Sequence, residues 1–107
     1  MISSDIFGFS VNDLDLVRNV LETCLRIQFV PRESSFRGEY YLYEGPDGEE
    51  LLLEMNVDPE DGEPFYSEFS DYPVILLVDA TTRSKQLAEL LLDKIEGCKL
   101  LRHKDIE

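Results

Sequence analysis

The chain has 107 residues, a hydrophobic fraction of 43% and a formal net charge of −13. This length and apolar content suit one hydrophobic core, so we expect a single domain over residues 1–107. No run of about 18 or more apolar residues predicts a membrane span, and the opening residues lack the basic segment of a secretory signal. We therefore expect a cytoplasmic protein.

The negative charge is concentrated in the middle of the chain. Residues 38–82 contain thirteen Asp or Glu and no Lys or Arg, whereas the remaining residues have ten acids and ten bases. Such a concentration repels nucleic-acid phosphates and anionic lipid heads, and it attracts cationic molecules over a distance. We expect a basic protein partner and no direct binding to nucleic acid or membranes. The alternative is a solvated surface that serves only solubility.

The first elements follow from hydrophobic periodicity. Residues 5–11 alternate between apolar and small or polar side chains, which predicts a half-buried strand. Over residues 14–25, apolar side chains recur at intervals of three and four, which predicts a helix packed on a sheet. Ser10 or Asn12 is suited to cap that helix.

The next segments predict a strand and a hairpin. Residues 26–30 are typical of a short strand that ends at Pro31. Residues 40–43 and 51–55 are typical of two strands, and the turn residues 45–48 between them predict a hairpin.

The last third predicts a strand, a helix and a strand. The aliphatic run over residues 74–78 is typical of a central strand, and a second helix, capped by Ser84 or by one of Thr81 and Thr82, should stop at Gly97. Residues 98–102 predict the last strand, followed by a polar tail over residues 103–107. The elements predict an α+β fold: a mixed, mostly antiparallel sheet of about six strands with two helices on one face.

The sequence contains no assembled catalytic motif. Cys24 and Cys98 lie in apolar patterns without metal-like spacing, so we expect reduced thiols in the core. His103 is the single histidine, and we interpret it as a solvated residue of the tail, with no nucleophile placed beside it. We therefore expect no enzyme activity, no cofactor and no metal site.

Residues 6–55 nevertheless resemble one module of the glyoxalase and bleomycin-resistance superfamily. The resemblance lies in a strand, the stretch VNDLD from Val11 that opens a helix, and strands ending at the stretch LEM from Leu53. In that family a metal ligand often opens the first strand and a Glu ends the last, so the resemblance implies that role for Glu54. Ile6 and Phe7 stand where the family has its histidine.

The alternative function that this resemblance implies is a glyoxalase-like small-molecule or metal-binding protein. Its pocket would lie on the sheet near Glu54, Tyr41 and Tyr43. The same hairpin has a separate interpretation as an edge that accepts another strand, which would give a homodimer.

The most unusual stretch is residues 56–73, NVDPEDGEPFYSEFSDYP, with six carboxylates, four aromatic rings and no basic residue. Three prolines and a glycine predict a loop, which we call the acidic loop, and loops of this length in compact domains are usually functional or disordered. Exposed rings are costly, so we expect them either to pin the loop to the core or to anchor a partner within a rim of charges. The candidate partner-binding residues are Asp58, Glu60, Asp61, Glu63, Phe65, Tyr66, Glu68, Phe69, Asp71 and Tyr72.

In overall character the chain resembles bacterial toxin-immunity proteins of the contact-dependent growth inhibition type. The shared features are small size, no catalytic motif and a strongly acidic, aromatic-bearing surface. The resemblance implies a protein that neutralises a basic, nuclease-like toxin by occluding its cationic active site, with carboxylates in the place of phosphates. An adaptor for another cationic protein would use the same surface.

Overall fold

The structure, a computed structural model, describes residues 2–106 as six strands and two helices. In chain order these are β1 Ser3–Phe9, α1 Leu14–Leu25, β2 Val30–Ser34, β3 Gly38–Glu44, β4 Glu50–Met55, β5 Val74–Thr81, α2 Ser84–Lys94 and β6 Cys98–Asp105. The strands form one sheet in the order β2-β3-β4-β5-β1-β6, and every pairing is antiparallel. The predicted α+β fold of six strands and two helices is confirmed, and its sheet is antiparallel throughout where a mixed, mostly antiparallel sheet was expected.

The alternation of side chains gives the sheet two different faces. One face, the helix face, packs against α1 and α2 in one hydrophobic cluster, to which α1 contributes Leu21 and α2 contributes Leu87. The opposite face, which we call the open face, has neither helix over it. The acidic loop joins β4 to β5 and lies against part of the open face, where Tyr72 contacts Gly8.

The aliphatic run over residues 74–78 lies in β5, between β4 and β1, as its sequence predicts. Val74, Leu76 and Val78 are buried within the helix-face cluster. Leu77 points to the open face and is only half-buried, because residues 2–106 form no second layer over its position.

The second strand begins later than its sequence predicts. Arg26 adopts a left-handed backbone conformation with φ of 56° and ends α1, and β2 then runs from Val30 to Ser34 with Pro31 inside it. The strand predicted over residues 26–30 was wrong. Pro31 is tolerated because β2 is an edge strand that pairs only with β3. On the unpaired side of an edge strand, the N–H group that proline lacks would not take part in a hydrogen bond of the sheet.

Neither helix has the cap that its sequence suggests. Asp13, rather than Ser10 or Asn12, caps α1 and accepts a hydrogen bond at 3.1 Å from the amide three residues on. Arg83 precedes α2 and provides no side-chain cap, and Ser84 is already the first helical residue. The start of α2 therefore depends on tertiary contacts.

Cys24 and Cys98 are both free thiols, and Cys98 is buried, as predicted. Burial raises the pKa of the Cys98 thiol to about 12, so it stays protonated at neutral pH. Within residues 2–106, both helices are too short and too polar to cross a bilayer.

Candidate functional site

The acidic loop is held in one conformation by a buried amide. Asn56 is 7% exposed, its backbone N–H donates to the Pro73 carbonyl at 2.8 Å, and its side-chain oxygen accepts from the Tyr66 N–H at 2.9 Å. Its side-chain nitrogen donates to the carbonyls of Tyr66 and Phe69 at 3.3 and 3.1 Å. One residue at the end of β4 therefore ties both the middle and the end of the loop to the sheet.

The tip of the loop is a turn stabilised by its own carboxylates. The Asp58 backbone N–H donates to the Glu63 carbonyl at 2.7 Å, and the Gly62 N–H donates to the Asp58 carbonyl at 2.8 Å. The Asp58 and Asp61 carboxylates accept from the amides of Glu60 and Glu63 at 2.8 and 2.9 Å. These bonds use one oxygen of each Asp and leave the other carboxylate oxygens for a partner.

The four rings of the loop are neither buried nor fully exposed. All four have intermediate exposure: Phe65, Tyr66, Phe69 and Tyr72. Tyr72 packs over Gly8 of β1 so closely that a Cβ atom at Gly8 would lie 2.6 Å from its ring. The Tyr66 and Phe69 ring centroids lie 6.3 Å apart, and burial raises the pKa of the Tyr66 hydroxyl. One side of each ring is therefore packed, and part of its surface remains accessible.

The predicted acidic residues lie at the surface. Glu60, Asp61, Glu63, Glu68 and Asp71 are exposed, and Asp58 is half-buried. Of these six loop acids only Glu68 forms an ion pair within residues 2–106, at 3.2 Å with Arg102 of β6, and both side chains are more than half exposed. Within residues 2–106, most carboxylates of the loop therefore have no ion-pair partner.

Three residues that the sequence did not indicate complete this surface. Phe36, in the turn between β2 and β3, is 68% exposed, and its ring centroid lies 6.0 Å from that of Phe65. Arg102 lies over the Phe69 ring at 5.4 Å. Arg37 lies next to Phe36 in the chain and pairs with Glu54. The sequence offers one signal for this part of the surface, which is the single aromatic residue Phe36 in an otherwise polar turn.

Glu54 is a buried carboxylate neutralised by an arginine. Its side chain is 1% exposed, and Nη1 of Arg37 donates to its two oxygens at 2.7 and 2.8 Å. Burial raises the pKa of Glu54, and Arg37 opposes that shift. No group of three His, Cys, Asp or Glu side chains arranged to hold a metal ion occurs within residues 2–106.

The predicted pocket near Glu54, Tyr41 and Tyr43 was wrong. Tyr40 is the residue opposite Glu54 in the β3–β4 pairing, whereas Tyr41 is opposite Leu53. Residues next to each other along a strand point to opposite faces. Glu54 therefore points to the open face, while Tyr41 and Tyr43 pack against the helix-face cluster.

A second cluster of polar residues surrounds His103, which lies in β6 and not in a solvated tail as its sequence suggested. Nδ1 of His103 lies 2.6 Å from a carboxylate oxygen of the buried Asp5, and Nε2 lies 3.0 Å from Asp105. The Ser84 hydroxyl donates to the other Asp5 oxygen at 2.6 Å. The hydrogen bond to Asp5 raises the pKa of His103.

This cluster does not form a catalytic triad. A triad needs an imidazole nitrogen that accepts the serine proton. The Ser84 hydroxyl oxygen lies 3.3 Å from Nδ1 of His103, but that nitrogen is closer to Asp5, Nε2 faces Asp105, and the Ser84 hydroxyl donates to Asp5. The arrangement instead favours a protonated His103 that joins β6 to β1.

No protein-family model matches this sequence. Comparison with curated proteins gives no match either.

Proposed function

We propose that this protein is an acidic protein-binding module, and specifically an immunity protein that binds a basic, nuclease-like toxin and occludes its cationic active site. The observation that carries the proposal is the acidic loop: exposed carboxylates alternate with half-buried rings on a backbone that Asn56 holds in place. The expected compartment is the cytoplasm, where such a toxin would act.

In this proposal the carboxylates and the aromatic rings of the surface contribute differently to binding. Carboxylates without a neighbouring cation attract a basic surface from a distance and raise the association rate. The accessible edges of Phe36, Phe65 and Phe69 provide apolar area at the centre of the contact, where binding energy concentrates. Because hydrogen bonds already order the loop, little conformational entropy is lost when it binds.

The alternative of a metal-dependent glyoxalase-like protein has less support. Its matching residue, Glu54, is almost fully buried and already has a cation at 2.7 Å. A metal ion at this position would have to displace Arg37.

The test compares three forms of the protein as bait for proteins of the source organism. The first is the unmodified protein, and the second, the loop variant, carries Glu60→Gln, Asp61→Asn, Glu63→Gln and Glu68→Gln. The third, the control variant, loses the same number of charges from exposed positions outside the loop through Asp47→Asn, Glu89→Gln, Asp93→Asn and Glu96→Gln. All three should unfold cooperatively, which circular dichroism checks.

We expect the unmodified protein and the control variant to capture the same basic protein at low salt and to lose it at about 0.5 M salt, where the Debye length is a few ångström. The loop variant should not capture it. The proposal is contradicted if the loop variant captures that protein equally well, or if no basic protein is captured in any condition.

A further inference from the structure

The open face carries a row of aliphatic side chains over which residues 2–106 form no second layer. The strand register places five of them directly opposite one another across neighbouring strands, in the order Val30, Leu42, Leu52, Leu77 and Ile6. We call these residues the aliphatic row. Val30 is 51% exposed, and the other four are half-buried. The uncovered face of an antiparallel sheet is normally polar, so such a row indicates a surface that another molecule covers.

A row of carboxylates runs beside the aliphatic row. Glu44 is opposite Glu50, and Glu50 is opposite Asp79, in three neighbouring strands. All three are exposed, and none forms an ion pair within residues 2–106. The hydroxyl of Ser4 donates to Asp79 at 2.6 Å. Like charges directly opposite one another destabilise a sheet. The repulsion within this row therefore destabilises the free protein, and a cationic partner would relieve it.

A cavity of about 370 Å³ lies over the centre of the aliphatic row. Its lining includes Leu52 and Leu77 together with Glu50 and Asp79. Three cations also line it, but Arg37 and Arg102 are paired with carboxylates of this chain, which leaves Lys104 at the β6 end. Over the middle strands, where the carboxylate row lies, the unpaired charge is therefore negative.

We propose that this face binds a basic amphipathic helix of the partner, with the apolar side of the helix on the aliphatic row and its Lys or Arg side chains over the carboxylate row. The inference rests on the proposed function and extends the contact from the acidic loop onto the sheet. Four strand spacings of about 4.8 Å make the row about 19 Å long, which about 13 helical residues span. The strand spacing is close to the helical pitch of about 5.4 Å, so successive turns can each meet one strand.

The probe is a labelled 14-residue peptide with Leu at helical positions i, i+3, i+4 and i+7 and Lys elsewhere. A second peptide has Ser in place of every Leu and keeps the same charge. Fluorescence anisotropy measures the binding of each peptide to the unmodified protein, to a sheet variant with Leu52→Thr and Leu77→Thr, and to Leu92→Gln as the matched control. Leu92 is equally aliphatic but lies on α2, 45% exposed and away from this face.

The unmodified protein should bind the Leu/Lys peptide at least about tenfold more tightly than the Ser/Lys peptide, because burial of one or two leucines suffices for that ratio. The sheet variant should reduce the ratio to near one, and Leu92→Gln should preserve it. A ratio near one for the unmodified protein overturns the inference, as does a ratio that survives in the sheet variant.

The loop variant separates the two proposals. If it weakens the binding of both peptides but keeps the ratio of their affinities, the loop supplies electrostatic attraction and the sheet supplies the apolar contact, as proposed. If the ratio is absent while the loop variant still weakens both peptides, the sheet inference fails and the proposed function stands. If the ratio depends on the sheet but the loop variant changes nothing, the loop has no part in binding and the proposed function fails.

Sedimentation of the free protein tests the other occupant of this face, which is a second copy of the chain. The inference predicts that the unmodified protein sediments as a monomer. A dimer that the sheet variant converts to monomers would show that a second copy covers the aliphatic row, and it would overturn the proposal of a partner helix.

Discussion

Glu50→Gln should make the free protein more stable, although it removes a charged side chain from the surface of a strand. Glu50 lies between Glu44 and Asp79 in the register of β3, β4 and β5. Each directly opposed pair of like charges costs roughly 0.2–1 kcal/mol, and the substitution removes two such pairs at once. We expect the free energy of unfolding to rise by about 0.4–2 kcal/mol at low salt.

The assay is urea unfolding at about 20 mM and about 0.5 M salt, because screening should reduce the gain by more than half at the higher salt. Glu96→Gln is the control, because Glu96 is exposed in the turn after α2. This substitution removes the same net charge at a position outside the carboxylate row. Subtracting its effect leaves the contribution of the row itself. If Glu50→Gln and Glu96→Gln change stability equally at low salt, the repulsion inferred from the register does not exist.

Three further predictions concern the parts that hold the surface in place. The pKa of His103 is raised by Asp5, so its contribution to stability should be complete below the unfolded-state pKa of about 6.5 and should be lost as pH rises through the higher folded-state pKa. His103→Gln should remove this dependence in unfolding curves between pH 5 and 9, and an unchanged pH profile would contradict it. Asn56→Ala leaves two loop carbonyls and one amide without their hydrogen-bond partner, so it should lower the free energy of unfolding by about 2–4 kcal/mol. It should also speed proteolysis within the acidic loop, which mass spectrometry of the fragments would show. Cleavage only outside the loop would contradict this prediction. Gly8→Ala would place a Cβ atom 2.6 Å from the Tyr72 ring and should cost about 1–3 kcal/mol by urea unfolding, whereas a neutral effect would show that Tyr72 moves freely.

Much of the fold could be predicted from local patterns. The run over residues 74–78, the hairpin turn and the two apolar helix stripes each act within a short stretch, and all appear where they were expected. The strand β2 was misplaced because Pro31 excludes a central strand but not an edge strand, and the position of a strand in a sheet is not a local property. His103 was misjudged because its partner Asp5 lies at the other end of the chain.

The candidate site was predictable only as a list of residues. The composition of residues 56–73 indicated an acidic, aromatic loop, but its order depends on Asn56 and its packing on Gly8, and neither residue signals this locally. The aliphatic row and the carboxylate row required the strand order and register, because a shift of one residue moves every side chain to the other face. The expectation that Tyr41 and Tyr43 share a pocket with Glu54 failed for this reason, since Glu54 is opposite Tyr40.

The most direct test of the account is growth of cells that express the captured basic protein. We expect growth to stop when that protein is expressed alone, and to recover when either the unmodified protein or the control variant is expressed with it. The loop variant, which lacks four carboxylates of the acidic loop, should fail to restore growth. Full protection by the loop variant would contradict the claim that these carboxylates bind and neutralise a cationic toxin.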